Sequence, residues 1–218
     1  MAKRSYKIKC ISFDLDGTLT DSLEFEKIFW NKEIPKIFAE EHKIPLSEAK
    51  RIVFNAYDEV GRRELNWYRP SYWFKRFKLK KDWKVVIEKL KDRVKIFPEV
   101  KEVLRKLSGN YKLIVLTHTS REALRLKLEK VNIKKYFVRI FSVIDDFNVT
   151  KRDEEVYREL LKKINLKPKD LIHVGDNYEF DYRMPKRIGI KAVLIDRSEE
   201  KEEKDIIHDL REIKNILK

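Results

Sequence analysis

The chain has 218 residues, of which 42% are hydrophobic and 40% are charged. A chain of this length can form one hydrophobic core and a smaller satellite domain, but not two full-sized catalytic domains, and its composition is that of a folded protein. No apolar run approaches the roughly 18 residues that a membrane span requires, and residues 1–9 contain no signal-peptide hydrophobic region. We therefore expect a cytoplasmic protein that does not associate with a membrane.

The formal net charge of +14 is unevenly distributed along the chain. Residues 61–95 contain 13 Lys and Arg against 4 Asp and Glu, a net charge of +9. This excess predicts attraction of an anion, either a phosphorylated substrate or a nucleic acid, although a solvated lysine-rich surface gives the same pattern.

The chain has no glutamine and is rich in Lys, Arg and Glu, which is typical of proteins from thermophiles. Cys10 is the only cysteine and the four histidines lack ligand-type spacing, so a disulfide within the chain is excluded and a zinc site is not indicated.

The first part of the chain predicts one strand followed by helices. Residues 8–13 form an apolar run that ends at the turn sequence Asp14-Leu-Asp-Gly17, which is typical of a strand and a loop. Apolar residues then recur at helical spacing over about 23–41 and 47–63, with Ser47 as a possible N-cap of the second helix. An aromatic and basic stretch over 66–83, interrupted by Pro70, leads into a further helix near 84–93.

From residue 97 onward, helices and strands alternate. The pattern predicts a helix at 99–107, then strand 112–117, helix 120–131, strand 138–144, helix 154–164, strand 170–175, helix 179–188 and strand 191–195. Such an order is typical of an α/β fold with a Rossmann-like parallel sheet core and helices on both faces. Because the first strand belongs with this sheet, we expect an α/β core of residues 1–19 and 97–218, with an inserted all-α domain over 20–96.

Polar residues follow the predicted strands at the places where a parallel sheet binds its ligands. Asp14 and Asp16 follow the first strand, Thr117 the second, Lys151 the third, and residues 176–181 the fourth. Phosphoryl transfer requires a nucleophile, a cation, donors for the phosphoryl oxygens and an acid for the leaving group, and these four places supply all of them. Clustered carboxylates repel each other unless a divalent cation is bound, and oxygen ligands suit Mg²⁺. The sequence therefore predicts a magnesium cofactor.

The sequence Phe13-Asp-Leu-Asp-Gly-Thr-Leu-Thr20 resembles the first signature motif of the haloacid dehalogenase superfamily, with the pair of aspartates that its phosphatases carry. Residues 113–117, Lys151 and residues 175–181 resemble the second, third and fourth motifs, in the right order. The resemblance implies that Asp14 is the nucleophile, forms an aspartyl-phosphate and also ligates Mg²⁺. It implies that Asp16 is the general acid, then the base that activates water, and that its backbone carbonyl ligates the metal.

The later motifs imply phosphate and metal contacts. Thr117 and Lys151 would bind the phosphoryl group, Asp176 would complete the metal site, and Asp181 would support that site directly or through water. His118 stands where many relatives have Asn, so it contacts substrate, titrates near neutral pH or packs. Arg and Asp rather than a proline-containing sequence follow Lys151, which leaves the alignment of this lysine open.

Each of these residues also has an ordinary structural interpretation. The Asp-x-Asp-Gly sequence also suits a turn, Lys151 also suits a solvated surface, and Asp181 also suits an exposed helix position. Thr117 could cap the next helix, but Thr119-Ser-Arg-Glu122 has the pattern of a capping box and is expected to do so instead.

The helical insertion resembles the cap of this superfamily, which closes over the active site and selects the substrate. Its hinges are expected near residues 18–23 and 93–98. Its aromatic and basic residues either contact substrate or form the core of the insertion; the residues concerned are Arg62, Arg63, Trp67, Tyr68, Arg69 and Trp73.

The most specific hypothesis is therefore an enzyme, a haloacid dehalogenase-type phosphatase (phosphoric monoester hydrolase), that acts on a small phosphorylated metabolite. A 2-haloacid dehalogenase is an alternative, but it needs no second carboxylate such as Asp16. A phosphosugar mutase would use the same pair of aspartates, and a phosphonatase would need a cap lysine that nothing singles out here. A basic nucleic-acid-binding protein is an alternative from another class, although no nucleic-acid motif accompanies the charge. The sequence indicates no oligomeric state.

Overall fold

The computed structural model describes residues 8–199 and 205–217. In chain order its strands are β1 (Cys10–Phe13), β2 (Thr20–Asp21), β3 (Lys95–Ile96), β4 (Lys112–Thr117), β5 (Arg139–Ser142), β6 (Leu171–Gly175), β7 (Lys191–Ile195) and β8 (Ile206–Ile207). Six of them form one parallel sheet in the order β5-β4-β1-β6-β7-β8, while β2 and β3 form a separate antiparallel pair. The chain therefore runs from the central strand β1 to one side of the sheet and later to the other, which creates a crevice at the carboxyl end of β1.

Both faces of the sheet are covered by apolar side chains. Along β4, Leu113 and Val115 belong to one buried cluster, whereas Ile114 and Leu116 belong to a second. Successive side chains of a strand point to opposite faces, so each face packs against its own layer. This arrangement confirms the predicted α/β fold with a Rossmann-like parallel core.

Most helices occupy the positions that the periodicity predicts, with small shifts at their ends. The helices at residues 70–76, 143–146 and 213–216 were not predicted, and the second of them begins inside the predicted strand 138–144, which ends at Ser142. They are α1 (Leu23–Ile28), α2 (Ile34–His42), α3 (Leu46–Val60), α4 (Pro70–Arg76), α5 (Trp83–Lys89), α6 (Val100–Ser108), α7 (Arg121–Val131), α8 (Val143–Asp146), α9 (Glu155–Ile164), α10 (Met184–Arg187) and α11 (Ile213–Ile216). Helix α3 begins after Pro45, so the expectation that Ser47 is its N-cap is wrong. Among the described residues, no helix is both long and apolar enough to cross a membrane.

Helices α1 to α5 lie in one segment between β2 and β3, residues 22–94, called here the helical insertion. At its base Thr20 pairs with Ile96 and Asp21 with Lys95, so the two connections to the sheet are hydrogen-bonded to each other. Two-residue strands leave no periodic signal, which is why the sequence did not indicate this pair.

Two α-helices each begin directly after a π-helical turn, and each has a proline as its second residue. The turn Phe29–Glu33 joins α1 to α2, in which Pro35 is the second residue, and Tyr178–Arg183 precedes α10, in which Pro185 is the second residue. Proline has no N–H for the carbonyl four residues earlier and its ring clashes with that carbonyl, so a widened turn relieves both problems. The second of these turns carries Asp181 into the crevice beside β1.

Candidate active site

Three carboxylates meet at the carboxyl end of the central strands. Asp14 follows β1, Asp176 follows β6, and Asp181 lies in the π-helical turn; one oxygen of each lies within 4.8 Å of the others. Gly17 makes this approach possible, because a Cβ at that position would overlap the Asp176 carboxylate. The backbone N–H of Asp14 donates to the Val174 carbonyl at 2.8 Å, which fixes the start of the loop to β6.

Lys151 connects two of these carboxylates. Its side chain is 1% exposed, and its Nζ lies 2.5 Å from Asp14 Oδ1 and 2.8 Å from Asp181 Oδ1. Asp181 also accepts hydrogen bonds from His173 Nε2 at 3.0 Å and from the backbone N–H of Asn177 at 3.1 Å. Both oxygens of Asp181 therefore accept hydrogen bonds from protein donors, and Asp181 positions Lys151.

The surplus of negative charge changes the acidities within the cluster. Burial raises the pKa of Asp14 to about 7, and the attraction of Lys151 offsets this only in part. The pKa of Asp176 is raised to about 8 by partial loss of contact with water and by the negative charges of Asp14 and Asp181. Because the Asp176 side chain remains exposed to solvent, we regard repulsion by its two neighbours as the decisive cause. Burial opposes ionisation of Asp181 too, but Lys151 and His173 outweigh it and lower its pKa.

This donor set fits a magnesium ion. The carboxylates supply oxygen atoms alone, and one lysine cannot neutralise all three. Asp176 accepts a hydrogen bond from the Thr18 hydroxyl at 3.5 Å and forms no ion pair within the described part of the chain. A divalent cation would supply the missing charge, and Asp14 and Asp176 are the residues best placed to hold it.

Asp16 points away from this cluster. Both of its oxygens accept from Lys127 Nζ at 2.9 Å, and Oδ2 also accepts from the Thr119 hydroxyl at 2.6 Å. Lys127 is fully buried and donates to Glu26 as well, at 2.6 Å. Burial would raise the pKa of Asp16, but the charge and hydrogen bonds of Lys127 outweigh it and lower that pKa. Asp16 is therefore held as an ionised carboxylate.

Thr117 lies at the end of β4 and is 2% exposed. Its hydroxyl donates to Thr119 Oγ1 at 3.3 Å, which in turn donates to Asp16. The expected capping box over 119–122 is wrong, because the N-cap of α7 is Ser120, whose side chain does not cap the helix, and the backbone N–H of Arg121 donates to Asp145. The Thr119 hydroxyl donates to Asp16 instead, and a hydrogen bond to an ionised carboxylate is stronger than one between neutral groups.

His118 is held by a backbone contact and by stacking. Its Nε2 accepts from the backbone N–H of Lys151 at 2.8 Å, and its ring stacks on Tyr68 at 4.6 Å. Burial and the nearby Lys151 charge lower the pKa of His118 to about 3. The His118 ring is therefore neutral, and its hydrogen bond holds the backbone of Lys151 close to the end of β4. A contact between His118 and phosphate stays a prediction.

The aromatic and basic residues of the helical insertion have different surroundings. Trp73 is 0% exposed, and the Arg69 guanidinium donates to the Ile144 carbonyl and to Asn148 Oδ1, both at 2.8 Å. Arg62 lies over the Trp67 ring at 5.0 Å, and no contact places Arg63 at the site. A cavity of about 610 Å³ lies inside the helical insertion, and none of the seven predicted site residues lines it.

A family model for haloacid dehalogenase-like hydrolases matches residues 8–189. The chain belongs to this family. It is accordingly an enzyme of the hydrolase class.

Several relatives of this haloacid dehalogenase-like hydrolase are named for an activity. A glyceraldehyde 3-phosphate phosphatase of Methanocaldococcus jannaschii is 24% identical, over 97% of each chain. A protein of the same name from Pyrococcus furiosus is 25% identical, over 86% of this chain and 80% of the relative. The crystal structure of a HAD phosphatase from Thermococcus onnurineus superposes with a TM-score of 0.84 at 23% identity, covering 96% of this chain and 98% of the other. That of a 2-haloacid dehalogenase from Pseudomonas syringae gives 0.68 at 21% identity, covering 96% and 98%. These structural likenesses extend over the whole fold of the hydrolase.

The sequence alone did not single out several residues that contact the predicted site. Lys127 lies on the buried face of α7 with Ala123, Leu124, Leu128 and Val131, so a lysine at an apolar position of the helical stripe was the available signal. His173 stands similarly in β6, where every other residue is apolar or glycine and all five are buried. A polar residue in such a place indicates a partner, because an unpaired buried polar group is costly.

Arg197 was also missed, since it follows β7 in a loop without a motif. Its guanidinium donates to the carbonyls of Gly17 and Thr18 at 3.2 and 2.8 Å and to Glu99 Oε1 at 2.7 Å. It also lies 3.5 Å from the centre of the Phe97 ring. In this way Arg197 fixes both connections of the helical insertion to the core of the hydrolase.

Proposed function

We propose that this hydrolase is a magnesium-dependent phosphatase that hydrolyses a small phosphorylated metabolite through an aspartyl-phosphate intermediate. The observation that carries the proposal is the pairing of Asp14 with Lys151 inside a carboxylate cluster suited to a cation, with the separate carboxylate Asp16 only two residues away. A 2-haloacid dehalogenase has no use for that second carboxylate. The names of the relatives support the same choice.

In the first step Asp14 acts as the nucleophile. One of its carboxylate oxygens attacks phosphorus, the Asp14–phosphorus bond forms, and the bond from phosphorus to the leaving oxygen breaks. Lys151 and Thr117 hold the phosphoryl oxygens. Asp16 is ionised while it is paired with Lys127, so it takes up a proton from solvent when it turns away from that lysine, and it gives this proton to the leaving oxygen. When bound by Asp14, Asp176 and the backbone carbonyl of Asp16, with Asp181 in support, Mg²⁺ supplies positive charge opposite the phosphoryl oxygens.

In the second step water releases phosphate from Asp14. Asp16, now ionised, takes a proton from the water, whose oxygen attacks phosphorus and breaks its bond to Asp14. Because Asp16 is hydrogen-bonded to Lys127 and Thr119 at rest, both steps require its carboxyl group to turn toward the crevice.

We further propose that the helical insertion is the cap of the enzyme, with residues 1–19 and 97–218 as the catalytic core and 20–96 as the cap domain. Support comes from its position over Asp16 and His118 and from its attachment through the β2–β3 pair and Arg197. The expected hinges, 18–23 and 93–98, contain that pair.

The test is hydrolysis of 4-nitrophenyl phosphate in the presence of Mg²⁺. EDTA and the variant Asp14→Asn are each expected to abolish turnover, while Asp58→Asn, an exposed carboxylate outside the cluster, serves as the matched control and keeps it. A labelled phosphoryl group trapped on Asp14 would establish the intermediate. Full activity of Asp14→Asn would refute the assigned nucleophile.

The same preparations separate the other hypotheses. Release of halide from a 2-haloacid without Mg²⁺ would identify a dehalogenase, and phosphoryl transfer to a second sugar position would identify a mutase. Steeply salt-dependent binding of an oligonucleotide, with no turnover, would identify a nucleic-acid-binding protein.

A further inference from the structure

A cavity of about 200 Å³ lies between the helical insertion and the core, and Asp16 is part of its wall. A second cavity, of about 560 Å³, reaches Asp176. Asp16 borders both, and in the proposed mechanism it protonates the leaving oxygen. A phosphate at the carboxylate cluster would therefore place the leaving group of the substrate in the smaller cavity.

The walls of the smaller cavity are mainly apolar. Five aromatic rings from the helical insertion line it, together with aliphatic side chains. Trp30 and Trp67 stack at 5.9 Å, and Tyr68 stacks on His118 at 4.6 Å, so the rings are held before any ligand binds. The five rings are those of Phe25, Phe29, Trp30, Trp67 and Tyr68. Such a preformed apolar wall favours an apolar ligand of matching size.

The charges on the wall exclude an anionic leaving group. Within residues 8–199 and 205–217, the charged side chains that line the cavity are the two carboxylates Asp16 and Glu26. Lys127 contacts both, but it is 0% exposed and already donates to three carboxylate oxygens. When Asp16 turns toward the crevice, Lys127 remains buried and paired with Glu26, so no unpaired cation of the described wall faces a carboxylate or a second phosphate.

One polar group on the wall lacks a partner. Ser120 is 7% exposed and lines the cavity, and its hydroxyl has no hydrogen-bond partner in the described part of the chain. A buried polar atom left without a partner is destabilising, and a ligand that bonds to it would remove this cost.

We propose that the preferred substrate is the phosphate monoester of an uncharged alcohol with an apolar, ring-sized body and one polar substituent that meets Ser120. An apolar cavity of about 150 Å³ admits benzene, so the volume here suits one six-membered ring with a substituent. This inference rests on the proposed phosphatase function and adds the substrate class. It differs from the three-carbon phosphate in the names of the relatives.

The first test compares alkyl phosphates whose leaving alcohols have similar intrinsic reactivity. The series is benzyl phosphate, glycerol 3-phosphate, 3-phosphoglycerate and phosphoethanolamine, which differ in apolar area and charge. Benzyl phosphate is expected to have a kcat/KM at least about tenfold above each of the others, since a few buried carbons give discrimination of that order. Equal or higher kcat/KM for the anionic or cationic member would overturn the proposal.

Two variants tie the preference to the cavity. Ala123→Leu fills it, so kcat/KM for benzyl phosphate should fall about tenfold while that for glycerol 3-phosphate falls less than threefold. Ser120→Ala should erase the two- to tenfold advantage expected for one hydroxybenzyl phosphate isomer over benzyl phosphate. Ser108→Ala, at the exposed end of α6, is the matched control and should keep that advantage. No advantage for any isomer in the wild type, or one that survives Ser120→Ala, contradicts the role of Ser120.

A binding measurement separates the two proposals. Benzyl alcohol added to the EDTA-treated protein should shift the indole N–H resonances of Trp30 and Trp67, and Ala123→Leu should weaken that binding. Binding without phosphatase activity would refute the proposed function, but it would support the assignment of the cavity as a site for an apolar ligand. Activity without binding, and without a preference for benzyl phosphate, would sink the substrate class alone.

Discussion

At Gly17, two separate requirements exclude every other residue. The backbone has φ +79°, which L residues rarely adopt, and a Cβ would overlap the Asp176 carboxylate. We expect Gly17→Ala to lower the free energy of unfolding by about 1 kcal/mol and to weaken Mg²⁺ binding by about 10- to 100-fold, as for other disturbed metal sites. Chemical denaturation and calorimetric titration with Mg²⁺ measure the two effects.

Two other glycines separate these requirements. Gly61 has φ +71°, and an added Cβ would find its nearest neighbour at 3.8 Å, so Gly61→Ala should cost stability without changing Mg²⁺ affinity. Gly109 has neither a positive φ nor a close neighbour for an added Cβ, so Gly109→Ala should lower neither the stability nor the Mg²⁺ affinity. Equal Mg²⁺ affinities for Gly17→Ala and Gly61→Ala would show that Asp176 is not displaced.

Lys127 is the one buried cation shared by Asp16 and Glu26 among the described residues. Replacing it with methionine keeps the apolar stem but leaves both carboxylates unpaired. We expect Lys127→Met to cost about 3 kcal/mol, the lower end of the range for breaking a buried pair, because Asp16 and Glu26 are partly exposed. Urea denaturation at an unchanged slope measures the loss.

Lys130→Met is the matched control on the same helix. Lys130 pairs with the exposed Asp92 at the surface, where an ion pair contributes about 0–1 kcal/mol. If both variants lose the same stability, the buried position of Lys127 has no special energetic role.

At the scale of elements, Arg197 joins three segments that are distant in sequence. It binds the loop after β1, the connection before α6, and Glu99 at the start of that helix. A planar guanidinium can make these contacts together, whereas a lysine cannot. The variants Arg197→Met and Glu99→Gln and their combination are expected to give a coupling energy of about 1–3 kcal/mol by a double-mutant cycle. Additive losses would contradict a direct contribution of this pair.

The sequence located most elements because their apolar patterns are strong. The predicted strands 112–117 and 191–195 agree with β4 and β7, and the helix predicted over 23–41 is present with a π-helical turn inside it. The signals failed where tertiary contacts decide the conformation, as in the pairing of β2 with β3. The strand β8 also escaped, because two apolar residues after a charged run carry no period.

The same contrast holds for the site. Asp14 and Lys151 follow two different strands, and Asp176 and Asp181 follow a third. The parallel topology brings these residues together as the sequence predicts. The partners of Asp16 could not be found in this way, because one lysine among 51 Lys and Arg carries little information unless its place on the helix is considered. Motifs therefore indicate which groups react, and the burial pattern indicates what positions them.

At the scale of the whole molecule, some charged side chains form networks in addition to the isolated surface pairs. On α9, Arg158 contacts Glu154 and Glu155, and Lys162 contacts Glu155 and Glu159. Such networks contribute more at high temperature, because the cost of dehydrating ions falls. The expectation of a protein from a thermophile stays a prediction, and it requires a thermal midpoint far above the roughly 45–65 °C of mesophile domains. A midpoint inside that range would contradict it.

The carboxylate cluster also links the stability of the whole fold to pH and to metal. In the metal-free protein, Asp14 and Asp176 have pKa values of about 7 and 8, whereas in the unfolded chain both would ionise near pH 4. Between these limits the folded state binds more protons than the unfolded state, so the free energy of unfolding must fall as pH rises from about 4 to 8. Mg²⁺ replaces those protons, and its stabilising effect should therefore increase across the same window. Thermal midpoints with EDTA and with saturating Mg²⁺, at about pH 5 and pH 8, measure the change, with Asp176→Asn as the control in which the pH dependence of the Mg²⁺ effect shrinks. An increment that is the same at both pH values would mean that these carboxylates do not exchange protons for the metal.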